Sequence, residues 1–119
     1  MYRVLIVDDD QELALIIQDK LKELGESVCA YAGYEAINIL KLSRYDLVVS
    51  DYNMKDGDGA SLAHFCVNQG IPVIVVSSFP ENHIKPYLPE NVEFINKFSA
   101  IRGKSLEEMG RRLITKKSA

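Results

Sequence analysis

Short apolar runs alternate with stretches of helical spacing along this chain. Tyr2 to Val7 is predominantly apolar and reads as a first strand. Leu13, Ile16, Ile17, Leu21 and Leu24 then recur at helical spacing, which predicts a helix stopped by Gly25. Asp9 or Asp10 is placed to cap its start, with Glu12 strengthening the first turn. Ser27 to Tyr31 is a second strand, and Gly33 opens a second helix with Ala36, Ile37 and Leu40 on its inner stripe. Asp46 to Ser50 is a third strand. A Gly/Asp-rich loop, Lys55-Asp56-Gly57-Asp58-Gly59, leads into a third helix carrying Leu62, Phe65 and Cys66 and ending at Gly70. Pro72 to Val76 and Val92 to Ile95 are the fourth and fifth strands, and a last helix carries Ile101, Leu106, Met109 and Leu113. Between the last two strands, Phe79 to Asn91 contains Pro80, Pro86 and Pro89. Pro80 suits the first turn of a helix and Pro86 breaks it, so the fourth helix is expected to be short and distorted.

Strands alternating with helices imply a parallel sheet, because parallel neighbours need long crossovers. Near-continuous apolar strands imply helices on both faces. The expectation is a single α/β domain over residues 1–119, a doubly wound five-stranded parallel sheet. In that architecture ligands bind beyond the carboxyl ends of the strands. Asp8 and Asp9 lie at the end of the first strand, Asp51 at the third, Ser77 and Ser78 at the fourth and Lys97 at the fifth.

Composition narrows the setting. The chain has 119 residues, 47% hydrophobic and 26% charged, with a formal net charge of -3. That is enough apolar material for one core, and the mild acidity argues against a nucleic-acid module, which needs a basic face. No stretch approaches the length of a membrane span. Met1-Tyr2-Arg3-Val4 runs straight into a strand pattern, so no secretory signal is expected. Cys29 and Cys66 sit inside apolar patterns and are expected as reduced, buried thiols. Together these predict a cytoplasmic protein.

Carboxylates gathered at one sheet edge repel each other, and such a cluster is costly unless a cation occupies it. Mg²⁺ suits it, since this ion takes one or two protein carboxylates and leaves other positions to water and phosphate oxygens. Asp8, Asp9 and Asp51 against Lys97 and one divalent ion leave no formal charge. A carboxylate neutralised in this way can act as a nucleophile and form an aspartyl phosphate. Lys97 and a serine hydroxyl are then placed to hold the oxygens of the transferring group.

Four fragments in order carry a resemblance. They are Val7-Asp8-Asp9; Asp51-Tyr52-Asn53-Met54 with Asp58-Gly59; Pro72-Val73-Ile74-Val75-Val76-Ser77-Ser78; and Phe94-Ile95-Asn96-Lys97. The chain resembles the receiver domain of bacterial two-component response regulators along essentially its whole length. The resemblance implies a flavodoxin-like fold with strand order 2-1-3-4-5. It implies that Asp51 is the phosphoacceptor, that Asp9 binds Mg²⁺ directly and Asp8 largely through water, and that the backbone carbonyl of Asn53 completes the protein ligands. Ser77 matches the switch hydroxyl, Lys97 the phosphate-contacting lysine and Phe94 the aromatic rotamer switch. The backbone N–H of Ser78 is expected to face the phosphoryl group. The implied donor is a sensor histidine kinase or phosphotransfer protein. The implied output is a change of partner, to a downstream protein or effector domain that the residues do not identify.

Three positions depart from the family pattern. Phe98 stands where the family usually has a proline, in a Lys-Pro bond that is typically cis. A non-proline cis bond costs about 3–4 kcal/mol, so a trans bond or a reshaped loop is expected, with Lys97 still reaching the site. Lys55 replaces another common proline beside the acceptor loop and is expected to be solvated. The proline-rich segment 79–91 falls on the family's usual output face.

Competing readings are weaker. Asp10 reads as a cap or a solvated side chain. Asp56-Gly57-Asp58-Gly59 fails the EF-hand pattern, because Lys55, Asp56 and Leu62 occupy its fifth, sixth and twelfth positions when counted from Asp51; a turn leading to a helix cap is expected. His64 and His83 lack metal-ligand spacing. Arg111, Arg112, Lys116 and Lys117 read as a dipole complement and solvated tail. Asp8 and Asp10 have the Asp-x-Asp spacing of haloacid-dehalogenase phosphatases, but Gln11-Glu12 follows instead of Gly-Thr and a cap domain does not fit. A flavin- or nucleotide-binding module needs a phosphate loop after the first strand, where Asp8-Asp9-Asp10 repels phosphate. A degenerate receiver that only binds partners is the remaining alternative.

Overall fold

Five parallel strands form the centre of the molecule, and their apolar side chains alternate between two helical layers. The computed structural model describes residues 2–55 and 57–118, with the backbone alone at 57, 58, 117 and 118. The elements in chain order are β1 (Tyr2–Val7), α1 (Gln11–Lys20), β2 (Gly25–Ala30), α2 (Gly33–Leu42), β3 (Leu47–Asp51), the hairpin β4 (Asn53–Met54) and β5 (Gly57–Asp58), α3 (Gly59–Asn68), β6 (Val73–Ser77), α4 (Glu81–Ile84), β7 (Glu93–Asn96), α5 (Lys97–Ile101) and α6 (Ser105–Ser118). The main sheet runs β2-β1-β3-β6-β7 with every pair parallel. Setting the hairpin aside, this is the expected 2-1-3-4-5 order.

Burial on both faces explains the unbroken apolar strands. Val4, Ile6, Leu47, Val49, Ile74 and Val76 pack with Leu13, Ile17, Leu106 and Ile114 in one layer. Leu5, Val7, Val48, Val73 and Val75 pack with Ala36, Leu40, Leu62 and Cys66 in the other. Slipping one strand by a residue would exchange the two sets, so the register is strongly specified.

Several boundaries differ from expectation. Helix α1 ends at Lys20, so Leu21 stays buried as the capping residue and Ile16 is exposed. Gly25 does not stop this helix; it opens β2, where its φ is 155° and a Cβ would collide with the Tyr2 carbonyl oxygen. The single last helix is in fact two, α5 and α6, because Gly103 between them takes a left-handed φ of 63°. Ile101 therefore belongs to α5 and Leu106 to α6.

The proline-rich segment behaves as predicted. Helix α4 is one turn long and gives way to a 3₁₀ turn at Lys85–Tyr87, where Pro86 has no N–H to continue an α-helix. Pro80 sits at the cap of α4, one position before its first turn. Ile84 is buried and anchors the segment, and His64 Nε2 on α3 lies 3.2 Å from the Tyr87 carbonyl oxygen. Within the Gly/Asp loop, Asn53 pairs with Asp58 and Met54 with Gly57 in an antiparallel hairpin; Asp56 of the expected turn lies outside the described residues.

Gly59 closes this loop against the end of β3. Its N–H donates to the Tyr52 carbonyl at 2.6 Å, and a Cβ there would lie 2.6 Å from the Asp51 carbonyl oxygen and 2.8 Å from Tyr52 Cα. Both obstacles are backbone, so Gly59→Ala should cost about 1–3 kcal/mol, read as a lower urea midpoint.

Candidate functional site

Register places the polar residues. Val7 pairs with Ser50, Asp51 with Val76, and Ser77 with Asn96. Asp8 and Asp51 therefore leave β1 and β3 side by side, while Ser77 follows one position further on β6 and Lys97 two positions further, directly after β7. Strands in a sheet are about 4.8 Å apart. The carboxyl ends thus bring these side chains to one rim without help from any long loop.

One carboxylate oxygen each from Asp8, Asp9 and Asp51 lies within 4.8 Å of the others. Asp8 is buried, and its Oδ1 accepts the Asp10 backbone N–H at 2.9 Å. Its Oδ2 is buried without a hydrogen-bond partner. Asp51 is 5% exposed and lies beside Lys97, whose Nζ is 3.6 Å from Asp51 Oδ1. Asp9 is half-buried, and its Oδ2 accepts the backbone N–H of Lys55 at 3.1 Å. Asp10 caps α1, as one of the two candidates, with Oδ1 accepting from the N–H groups of Glu12 and Leu13.

The electrostatics are those of a cluster deprived of solvent. Burial pushes Asp8 from 3.8 to about 6; the Asp10 N–H opposes the rise, Asp51 adds to it, Lys97 opposes it and Asp9 adds a smaller push. Burial also raises Asp51, against the pull of Lys97 and the Asn53 backbone N–H. A buried acceptor atom without a donor and two carboxyls pushed upward are what a divalent cation would relieve. All-oxygen donors of this kind suit a hard ion such as Mg²⁺. The donor set therefore fits the ion.

The remaining predicted residues are placed as follows. Ser77 is buried at the end of β6, and its Oγ accepts the Phe79 N–H at 3.0 Å. Ser78 is exposed, and Asn53 is exposed on β4. Phe94 is half-buried on β7 and packs against the layer that holds Ile84. Lys55 is exposed, as expected of its side chain, but its backbone carries a role the sequence did not suggest. Among the described residues no peptide bond is cis, so Lys97-Phe98 is trans. The junction is reshaped instead: Asn96 caps α5 through its Oδ1, which accepts the Phe98 N–H at 2.9 Å, and Lys97 is the first helical residue. Asn is a strong N-cap type, so the sequence itself carries the signal for this cap. Cys29 and Cys66 are free, and burial pushes the Cys66 thiol up to about 12, which suits an inert core residue. Among the described residues, no helix is long and apolar enough to cross a membrane.

The model of the response regulator receiver domain matches residues 4–99. The chain belongs to that family. Among curated relatives, the transcriptional regulatory protein ZraR of Salmonella typhimurium is 34% identical over 79 residues, covering 64% of this chain and 18% of ZraR. The two-component response regulator ARR11 of Arabidopsis thaliana is 40% identical over 80 residues, covering 63% of this chain and 15% of ARR11. The receiver thus spans less than a fifth of the length of these relatives. Among solved structures, the receiver domain of the Francisella response regulator 1452 is 28% identical, with a TM-score of 0.84 and 98% of each chain covered. This receiver is a regulatory domain, and its acidic pocket has the form in which receivers bind Mg²⁺.

Asp8 gives the site a measurable signature. Its raised value means that the folded state holds this proton more tightly than the unfolded chain. Its contribution to stability is therefore favourable below about pH 4 and is lost as pH rises to about 6. Without Mg²⁺, Asp8→Asn should stabilise the protein at pH 7.5 by about 1–3 kcal/mol, and the gain should vanish near pH 4. Thermal unfolding of both proteins across that range checks it.

Proposed function

We propose that this receiver, a single domain over residues 1–119, accepts a phosphoryl group on Asp51 in a Mg²⁺-dependent step of a cytoplasmic phosphorelay. The observation that carries this reading is the buried Asp51 carboxylate, held between two further acids and Lys97. The donor is a phosphohistidine on a sensor histidine kinase or phosphotransfer protein. An Asp51 oxygen attacks phosphorus, a P–O bond forms, and the P–N bond breaks. Its electron pair returns to the imidazole, which then carries no phosphoryl group.

Asp8, Asp9, Asp51 and the Asn53 backbone carbonyl would hold Mg²⁺, which supplies positive charge against the acids and the phosphoryl oxygens. Asp9 would hold the ion directly and Asp8 largely through water. The chain's own residues do the rest. Lys97, already paired with Asp51, follows the charge onto the phosphoryl oxygens. The Ser78 backbone N–H donates to the same group. Burial of Asp51 keeps competing water scarce around the nucleophile. Ser77 serves as the switch: its Oγ accepts the Phe79 N–H, its hydroxyl hydrogen turns to the phosphoryl group, and Phe94 follows. The result is altered binding of a downstream protein or effector domain. Self-phosphorylation and slow self-dephosphorylation are the only reactions assigned to the domain.

The test is an intact-mass measurement after incubation with Mg²⁺ and a small phosphodonor such as acetyl phosphate. Wild type should gain one phosphoryl group, while Asp51→Asn gains none and Lys97→Ala gains it at least about tenfold more slowly. Absence of an adduct with rapid phosphate release from many substrates would point to a phosphatase. Absence of both would leave a phosphorylation-independent binding module.

A further inference from the structure

Each acid of the cluster is held by a donor, but the donors come from different places. Asp8 takes the N–H of Asp10, two residues away. Asp51 takes Lys97 and the N–H of Asn53. Asp9 takes the N–H of Lys55, 46 residues away in sequence. Asn53 and Lys55 are alternate residues of one short segment, so β4 and the turn after it reach across to one acid at the end of β3 and one in the loop after β1. The hairpin is closed by the Asn53–Asp58 and Met54–Gly57 pairs and anchored by the buried Met54 side chain.

We infer that the Lys55 backbone N–H is a positioning clamp on Asp9, holding Oδ2 so that the rest of the carboxylate stays available to a divalent cation. This rests on the metal reading above and adds a residue to it. A half-buried aspartate is otherwise free to change rotamer, and ordering it on metal binding costs free energy. A hydrogen bond to a carboxylate is stronger than one between neutral groups, so it can set that geometry in advance. The clamp depends on the residue type in an unusual way. The side chain is irrelevant, but the backbone must carry a hydrogen, and proline, common at this position in the family, has none.

That dependence supplies the experiment. Lys55 is the first of two residues between the paired Met54 and Gly57, and among the described residues no non-glycine φ is positive. Proline fits the corresponding position of common turns, so Lys55→Pro removes the hydrogen with the turn retained. Mg²⁺ is titrated into wild type, Lys55→Ala and Lys55→Pro, with binding read from backbone amide chemical shifts. Lys55→Ala should bind within about twofold of wild type, and Lys55→Pro roughly three- to tenfold more weakly. Equal affinity in the proline and alanine variants overturns the clamp and leaves the metal site standing. Wild type that binds no Mg²⁺ overturns the metal reading and the clamp together. Wild-type hydrogen exchange decides the matter if the proline variant does not fold. The Lys55 amide should be protected and stay so as Mg²⁺ saturates; an unprotected amide, or one released by Mg²⁺, sinks the clamp.

Discussion

Asp8 and Asp51 stand beside each other because β1 and β3 are parallel neighbours in fixed register, and buried side chains on both faces prevent either strand from slipping. Their mutual repulsion therefore cannot be relieved by moving apart. It is relieved by partners: an N–H for Asp8, Lys97 for Asp51, an N–H for Asp9. One acceptor, Asp8 Oδ2, is left over. The core supplies the stability that such an arrangement consumes, since ordinary solvated carboxylates would separate. The upward push on Asp8 and Asp51 comes first from burial and only secondarily from the neighbouring acids.

Lys97 is the cation that makes the cluster tolerable, and its placement has its own physical basis. The fifth strand ends at Asn96, whose side chain caps the helix that begins with Lys97. The cap satisfies the Phe98 N–H and fixes the turn from strand to helix. A cis peptide bond at this junction would need proline to be affordable. With Phe98 in that place the chain reaches the same end through a capped trans junction, and the ammonium still comes within 3.6 Å of Asp51.

The strands and the rim were legible in the sequence because their signals are strong and local. Long apolar runs have few interpretations, and a carboxylate directly after such a run lands at the strand's end whatever the loop does. Two further features carried weak signals. The split between α5 and α6 rests on Gly103 alone, inside a pattern whose apolar residues suit one continuous helix. The hairpin β4–β5 has two residues per strand, too few to show any periodicity. The Asp9 clamp was invisible in principle, because the donor is a backbone N–H and Lys55 advertises only its side chain. Ile16 falls on the apolar spacing yet is exposed, since α1 is only 10 residues long and its buried stripe is narrow.

The segment after β6 determines how a change at Ser77 would spread. Ser77 Oγ holds the Phe79 N–H, Pro80 fixes the next φ, and Ile84 is the buried anchor. Beyond it, Pro86 and the His64–Tyr87 contact tie the 3₁₀ turn to α3. The stretch between these two ties is therefore short, running from Phe79 to Ile84, and it contains one helical turn. Phe79 is exposed, so releasing its N–H costs little packing. A longer α4 would have to shift as a packed body; a single helical turn presents far less packed surface. Any coupling that the proposed switch requires between the rim and this face would run through the Ser77–Phe79 contact and the seat of Ile84.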